Sequence, residues 1–227
     1  ALARYNPDGS LDTTFSGDGL LTTAFASNSD FAYAVAVQAD GKIVAAGYAY
    51  NGSNNDFALA RYNPDGSLDT TFNGDGLLTT DFGSSYDYAY ALAVQVDGKI
   101  VAAGYADTGS TDDFALARYN PDGSLDTTFS SDGLLTTAVG GIDDSVNAVA
   151  LQANGKIVAA GYANTSGSYD FTLARYTVVD SGSFTYDPNG QFEGLANGET
   201  AVETFSYVAS DGTLTDTATV TLTINGL

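Results

Sequence analysis

The sequence predicts an all-β protein: a propeller-like array of four-stranded repeats followed by a partial immunoglobulin-like β-sandwich. Three observations carry the prediction. A period of 57 residues runs without drift through most of the chain, as Arg4, Arg61, Arg118 and Arg175 show. Apolar runs of strand length alternate with Gly, Asp and Asn turns. No window holds helical periodicity over a useful length.

The period is read from three motifs. ALARYNPDGSLDTTF stands at 1–15, 58–72 and 115–129; DGLLTT follows at 18–23, 75–80 and 132–137; GKIVAAGYA stands at 41–49, 98–106 and 155–163. Within a unit, Leu20–Phe25 alternates loosely. Tyr33–Gln38 (YAVAVQ) is nearly all apolar, as expected of a strand buried on both faces. Asp40-Gly41 is a hairpin signal leading into Ile43–Ala49. A polar loop at 51–56 then leads into Phe57–Tyr62. Four short strands joined by tight turns match one propeller blade; a β-solenoid is the competing architecture.

The unit F-A-L-A-R-Y-N-P-D-G-S-L-D-T-T-F…G-D-G…A-V-x-Q-x-D-G-K-I-V-A-A-G resembles the bacterial delta-60 repeat, found in tandem in large secreted proteins. The resemblance covers residues 1–176. It divides them into units 1–57, 58–114 and 115–170 and a partial unit 171–176, and it implies propeller-like blades without implying an activity. Three and a fraction units are fewer than the about 4–8 blades that close a ring. Further units or other subunits are therefore expected to complete the set and to cover the strand edges.

Composition shifts at Val178-Val179-Asp180, and 177–227 forms a second segment. Phe184–Tyr186, Thr204–Ala209 and Thr215–Ile224 read as strands. TATVTLT places Ala218, Val220 and Leu222 on one face and threonines on the other. Phe184, Tyr186, Pro188, Asn189, Phe192, Phe205, Tyr207, Ser210, Asp211, Gly212 and Ala218–Ile224 make this segment similar to the closing half of a VCBS-type, cadherin-like adhesin repeat. The opening half is absent. Either three strands pack on the last blade, or a partner supplies the missing ones.

The chain has no Cys, no Met, no Trp and no His. Thiol and imidazole chemistry, Ser-His-Asp hydrolysis and zinc sites of the usual kind are thereby excluded. The 28 acids against 7 bases give a net charge of −21. Nucleic acid and membrane insertion are not expected, since the charge repels phosphates and no run of 18 apolar residues occurs. Acids that recur in every unit read as structural, and no unique catalytic pair stands out, so the chain is expected not to be an enzyme. It opens at Ala1, inside a repeat, as expected of a processed product or a piece of something longer.

Carboxylates are the candidate metal ligands, and calcium is the one cofactor they point to. Asn6, Asp8, Gly9 and Asp12 fall on the spacing of a calcium loop, with copies at Asp65 and Asp69 and at Asp122 and Asp126. Arg4 occupies the first ligand position, however, so the same residues also read as a Pro-Asp-Gly turn braced by an internal Arg–Asp pair. Gly17-Asp18-Gly19 and its copies read as turns. Asp211 and Asp216 in the tail are further candidates. The loops at 50–56, 107–113 and 164–170 vary between units, as binding loops or as plain connections. Most of the 15 tyrosines recur with the period and read as packing. Tyr50, Tyr86 and Tyr169 break it and are candidates for sugar stacking.

Two functions fit. The first is an extracellular or bacterial cell-surface structural protein, a subunit or fragment of a fibre or large adhesin, assembled with copies of itself or flanking repeats through β-strand pairing. The second is a glycan- or receptor-binding propeller module of an adhesin, with calcium as its cofactor.

Overall fold

The computed structural model describes residues 1–25, 29–83, 85–177, 199–210 and 215–225. Within them every regular element is a strand. By contacts the chain divides into Ala1–Asp180 and Ser181–Leu227.

In the first unit, β1 (Leu2–Ala3) and β2 (Leu20–Leu21) form a two-stranded sheet. A four-stranded antiparallel sheet follows: β3 (Asp30–Val37), β4 (Ile43–Tyr50), β5 (Asn55–Tyr62) and β6 (Leu77–Thr80), paired in chain order. The second blade repeats it with β7 (Asp87–Val94), β8 (Ile100–Asp107), β9 (Asp112–Tyr119) and β10 (Leu134–Thr137). The third sheet has three strands, β11 (Asp144–Leu151), β12 (Ile157–Asn164) and β13 (Tyr169–Tyr176). Blade boundaries are out of phase with the sequence units: a cut between residues 57 and 58 passes through β5. The opening residues supply the two outer strands of a blade, equivalent to the end of β5 and to β6.

The GKIVAAGYA motif is explained by a bulge. Tyr33 is extra between the Ala32–Gly47 and Ala34–Ala46 pairs, and the same irregularity recurs before Ala91 and Ala148. The bulge drives a carbonyl into the facing strand, so a Cβ on Gly47, Gly104 or Gly161 would meet the oxygen of Phe31, Tyr88 or Ser145 at 1.8 Å. Only glycine fits. The hairpin after β3 is longer than a two-residue turn: Gln38 N donates to Lys42 O and Gly41 N to Gln38 O.

Blade packs on blade through one repeated contact. Val44, Ala46, Phe57 and Leu59 of the first blade are buried against Ile100, Ala102, Ala115, Ala117 and Tyr119 of the second. Val101, Ala103, Phe114 and Leu116 of the second are buried against Val146, Ile157 and Ala159 of the third. Phe15, with Leu2 and Leu21 of the opening pair, covers Ile43, Ala45, Ala60 and Tyr62. The strands buried on both faces are thus β4 and β5, with their copies β8 and β9. This corrects the reading of Tyr33–Gln38: the opening pair covers β4 and β5 but not β3, and Val35 and Val37 are 58% and 69% exposed.

The second unit shows one antiparallel hairpin, β14 (Thr200–Ser210) with β15 (Thr215–Asn225), in register from Thr200–Asn225 to Ser210–Thr215. The expected strand at Phe184–Tyr186 lies outside the described residues, as do Pro188, Asn189 and Phe192.

Candidate functional site

The NPDGSLD segments are turns closed by their own carboxylates. Asp8 accepts from Ser10 N at 2.9 Å and from Ser10 Oγ at 2.6 Å, and Asp65 and Asp122 repeat the pattern with Ser67 and Ser124. Those hydroxyl and amide donors hold the three carboxyls below the ordinary value of 3.8. Asp12, Asp69 and Asp126 face bases. Arg4, Arg61 and Arg118 place Nε 2.8, 2.7 and 2.7 Å from them, and Lys42 and Lys99 approach Asp69 and Asp126 at 3.0 and 3.1 Å. Burial opposes the charge of Asp69, but the Thr71 hydroxyl, Lys42 and Arg61 outweigh it and hold the carboxyl well below its ordinary range. The arginines occupy the first ligand position of the would-be calcium loop and neutralise its last acid, which favours the braced turn.

The brace also links neighbours. Arg4 and Arg61 donate to the carbonyls of Pro64 and Pro121, one unit on. Each guanidinium lies over Phe15, Phe72 or Phe129, 4.7–5.1 Å from the ring centre. Ser16 and Asn73 donate backbone N–H to the Asp65 and Asp122 carbonyls. Asp211 lies outside the described residues; Asp216 lies in β15, opposite Ala209.

Aromatic rings form a second candidate surface. Tyr33 meets Tyr90 at 5.1 Å and Tyr48 meets Tyr88 at 4.2 Å, joining the first blade to the second. Phe31 stacks on Tyr48 at 5.0 Å and Tyr88 on Tyr105 at 5.1 Å. Burial, then the neighbouring Tyr33 hydroxyl, pushes Tyr48 up to about 12. Of the period-breaking tyrosines, Tyr86 stacks on Tyr88 at 6.4 Å and is 47% exposed. Tyr169 donates to Asp143 at 3.1 Å. Tyr50 donates to Gly52 O and closes its own loop. In the third blade Ser145 and Asn147 replace Tyr88 and Tyr90, and Tyr162, the equivalent of Tyr105, meets Tyr169 edge-on at 5.1 Å.

The array's last face is a third. Phe171 and Leu173 of β13 are 82% and 61% exposed, whereas Phe57, Leu59, Phe114 and Leu116 at the same positions of the repeat are fully buried. The side chains are equivalent; the neighbour differs. Among the described residues no strand pairs with the outer edge of β13, where β6 and β10 close the other two sheets.

Sequence reasoning missed a group at the junction of the first two blades. One carboxylate oxygen from each of Asp56, Asp81 and Asp87 lies within 4.8 Å of the others. Its signal was asymmetry: Ala24 and Ala138 stand where the second unit has Asp81.

Comparison with curated proteins finds no match. A family model does match, at residues 1–15, 38–72, 95–129 and 152–181. The two full stretches, 38–72 and 95–129, begin at the hairpin turn before the GKIVAAGYA strand and end with the braced turn, the segments that bury the blade contact and carry the Arg–Asp pair. With half of its residues in that model, the chain belongs to the family described as a domain of unknown function (DUF5122) beta-propeller.

Proposed function

We propose that this chain is a structural, non-catalytic module of a bacterial surface fibre or large adhesin that assembles with further copies of its own blade. One observation carries the reading. The last face presents Phe171 and Leu173 to solvent where two identical contacts inside the chain bury their equivalents. Its natural complement is the first-strand side of another such blade, and Val35 and Val37 are open on that side. Because the joined surfaces differ, the contact is heterologous and generates rings or filaments. Strand pairing adds to it, since β13 offers an outer edge of the kind that β6 and β10 cover. A tail similar to the closing half of a VCBS-type repeat fits the same extracellular setting.

The test is light scattering of the intact chain over a wide concentration range, beside a Phe171→Asp, Leu173→Asp double variant. Assembly that grows with concentration and is lost in the variant supports the reading. A chain that stays monomeric at hundreds of micromolar refutes assembly between copies. A second reading, glycan binding, is favoured by the solvent-facing rings of Phe31, Tyr33 and Tyr86. Binding to a glycan panel that Tyr86→Ala abolishes would support it.

A further inference from the structure

Asp56 lies at the start of β5, and Asp81 and Asp87 bracket the connection from β6 to β7. Asp56 and Asp87 are 4% and 0% exposed; Asp81 faces solvent. Backbone and amide donors orient all three. Phe82 N donates to Asp87 at 2.8 Å, Gly83 N to Asp81 at 2.6 Å, and Asn51 Nδ2 to Asp56 Oδ2 at 2.8 Å. The other oxygen of Asp56, Oδ1, is buried and has no hydrogen-bond partner. A buried, unsatisfied carboxylate oxygen beside two more carboxylates is costly unless a positive charge meets it. Arg61, Lys42 and their copies Arg4, Arg118 and Lys99 do not fill that role. They pair with Asp12, Asp69 and Asp126, and Arg61 stands at the opposite end of β5.

The geometry suits a hard divalent ion. Three oxygens within 4.8 Å of one another all lie within about 2.8 Å of a common point, so small side-chain adjustments bring them to the about 2.3–2.6 Å that calcium takes to carboxylates. The chain supplies its own controls. The equivalents of Asp56 and Asp87 at the next junction are Asp113 and Asp144, but Ala138 replaces the third acid.

We propose that Asp56, Asp81 and Asp87 bind one calcium ion, which ties β5 and the β6–β7 connection of the first blade to the second blade. The ion links elements far apart in sequence, so it acts as a clamp on a blade junction. This site is separate from the NPDGSLD turns.

The experiment is calorimetric titration of calcium into the intact chain after chelator treatment, with thermal unfolding in calcium and in chelator. One ion per chain is expected, with a Kd between about 100 μM and 1 mM, as in extracellular calcium modules, and a higher Tm in calcium. Asp81→Ala, on the surface, should keep the Tm seen in chelator and bind calcium more weakly by about tenfold or more, as for a lost charged ligand. Ala138→Asp should add a second ion, held by the introduced carboxylate together with Asp113 and Asp144. Terbium luminescence excited through tyrosine gives an independent readout, because Tyr88 Oη accepts from Asn55 Nδ2, next to Asp56, at 2.7 Å. Absence of binding at millimolar calcium overturns the proposal. Undiminished binding by Asp81→Ala also overturns it, by placing the ion elsewhere.

Discussion

Truncating Phe57, Phe114 and Phe171 to Ala makes one chemical change at three equivalent positions. Phe57 and Phe114 are fully buried between blades, and Phe171 is 82% exposed. Phe-to-Ala changes at buried sites cost about 3–5 kcal/mol, from lost transfer energy and the cavity left behind. At Phe171 the monomer should lose less than about 0.5 kcal/mol, the range of ordinary surface substitutions. The assay is urea unfolding at low micromolar concentration, followed by circular dichroism and fitted for the array as a whole, since neighbouring repeats unfold in a coupled way. Leu in place of Ala at positions 57 and 114 keeps the comparison measurable if the larger truncation prevents folding. The ranking should invert in association. Covering the exposed part of a Phe is worth roughly 2 kcal/mol, so Phe171→Ala should weaken assembly about 30-fold. If Phe171→Ala destabilised the monomer as much as Phe57→Ala, the last face would be covered within the chain, and the reasoning would fail.

Three other outcomes follow from particular residues. Asp126→Asn breaks a pair in which Arg118 is fully buried and should cost about 3–5 kcal/mol in urea unfolding, the range for stranding a buried charge; Asp12→Asn, whose Arg4 partner is 30% exposed, should cost much less. Stability should be non-monotonic below neutral pH. In chelator, Asp112 has a raised carboxyl and so does Asp56, so the folded state takes up protons first and stability climbs as pH falls through their pKa values toward 3.8. Asp69 and Asp126 are depressed, so their contribution is present above 3.8 and is lost below it as they protonate; a Tm that only declines from pH 7 downward would contradict this. Ser131 holds φ 71° where Gly17 and Gly74 hold 88°, so Ser131→Gly should raise stability by about 0.5–1 kcal/mol in the same assay.

The blades were legible because an exact period carries more than composition does. A strand–turn unit that repeats without drift packs on its neighbour in the same way each time, and the apolar runs of β4 and β5 then mark the shared interface. Arg4 at the first ligand position of a calcium-like loop was also a sufficient clue to the brace, since a guanidinium and a cation do not share a site. Burial at the ends of the array was not legible. YAVAVQ has the composition of a buried strand, but burial belongs to a pair of surfaces, and in the first blade the inner-strand partner is absent among the described residues. The bulge at Tyr33 was hidden for a similar reason: it is a register event between β3 and β4, and its trace in the sequence is one glycine, Gly47, in an otherwise ordinary apolar run. Asp56 and Asp87 meet only because β7 packs on β5, a contact between blades that spacing along the chain does not display.

Near-identity of the units makes each departure informative. A residue that serves the blade is repeated with the blade, as Arg4, Arg61 and Arg118 are, each with its acid, its threonine and its phenylalanine. Arg175 keeps the position and loses the set, because the NPDGSLD turn does not follow Tyr176, and it lies exposed. The brace therefore needs the turn of its own unit, and its burial follows the inner strands of its own blade: the Arg4 side chain, beside the two-stranded opening sheet, is 30% exposed, whereas those of Arg61 and Arg118, in four-stranded sheets, are 4% and 0% exposed. Residues present in one unit alone answer to something outside this scheme. Asp81 adds a third carboxylate where the repeat supplies two, at a junction whose buried oxygen lacks a partner. Phe171 and Leu173 invert the logic, since they are ordinary blade residues in a place where no blade among the described residues covers them. The first kind of departure calls for an ion, and the second for another copy of the fold.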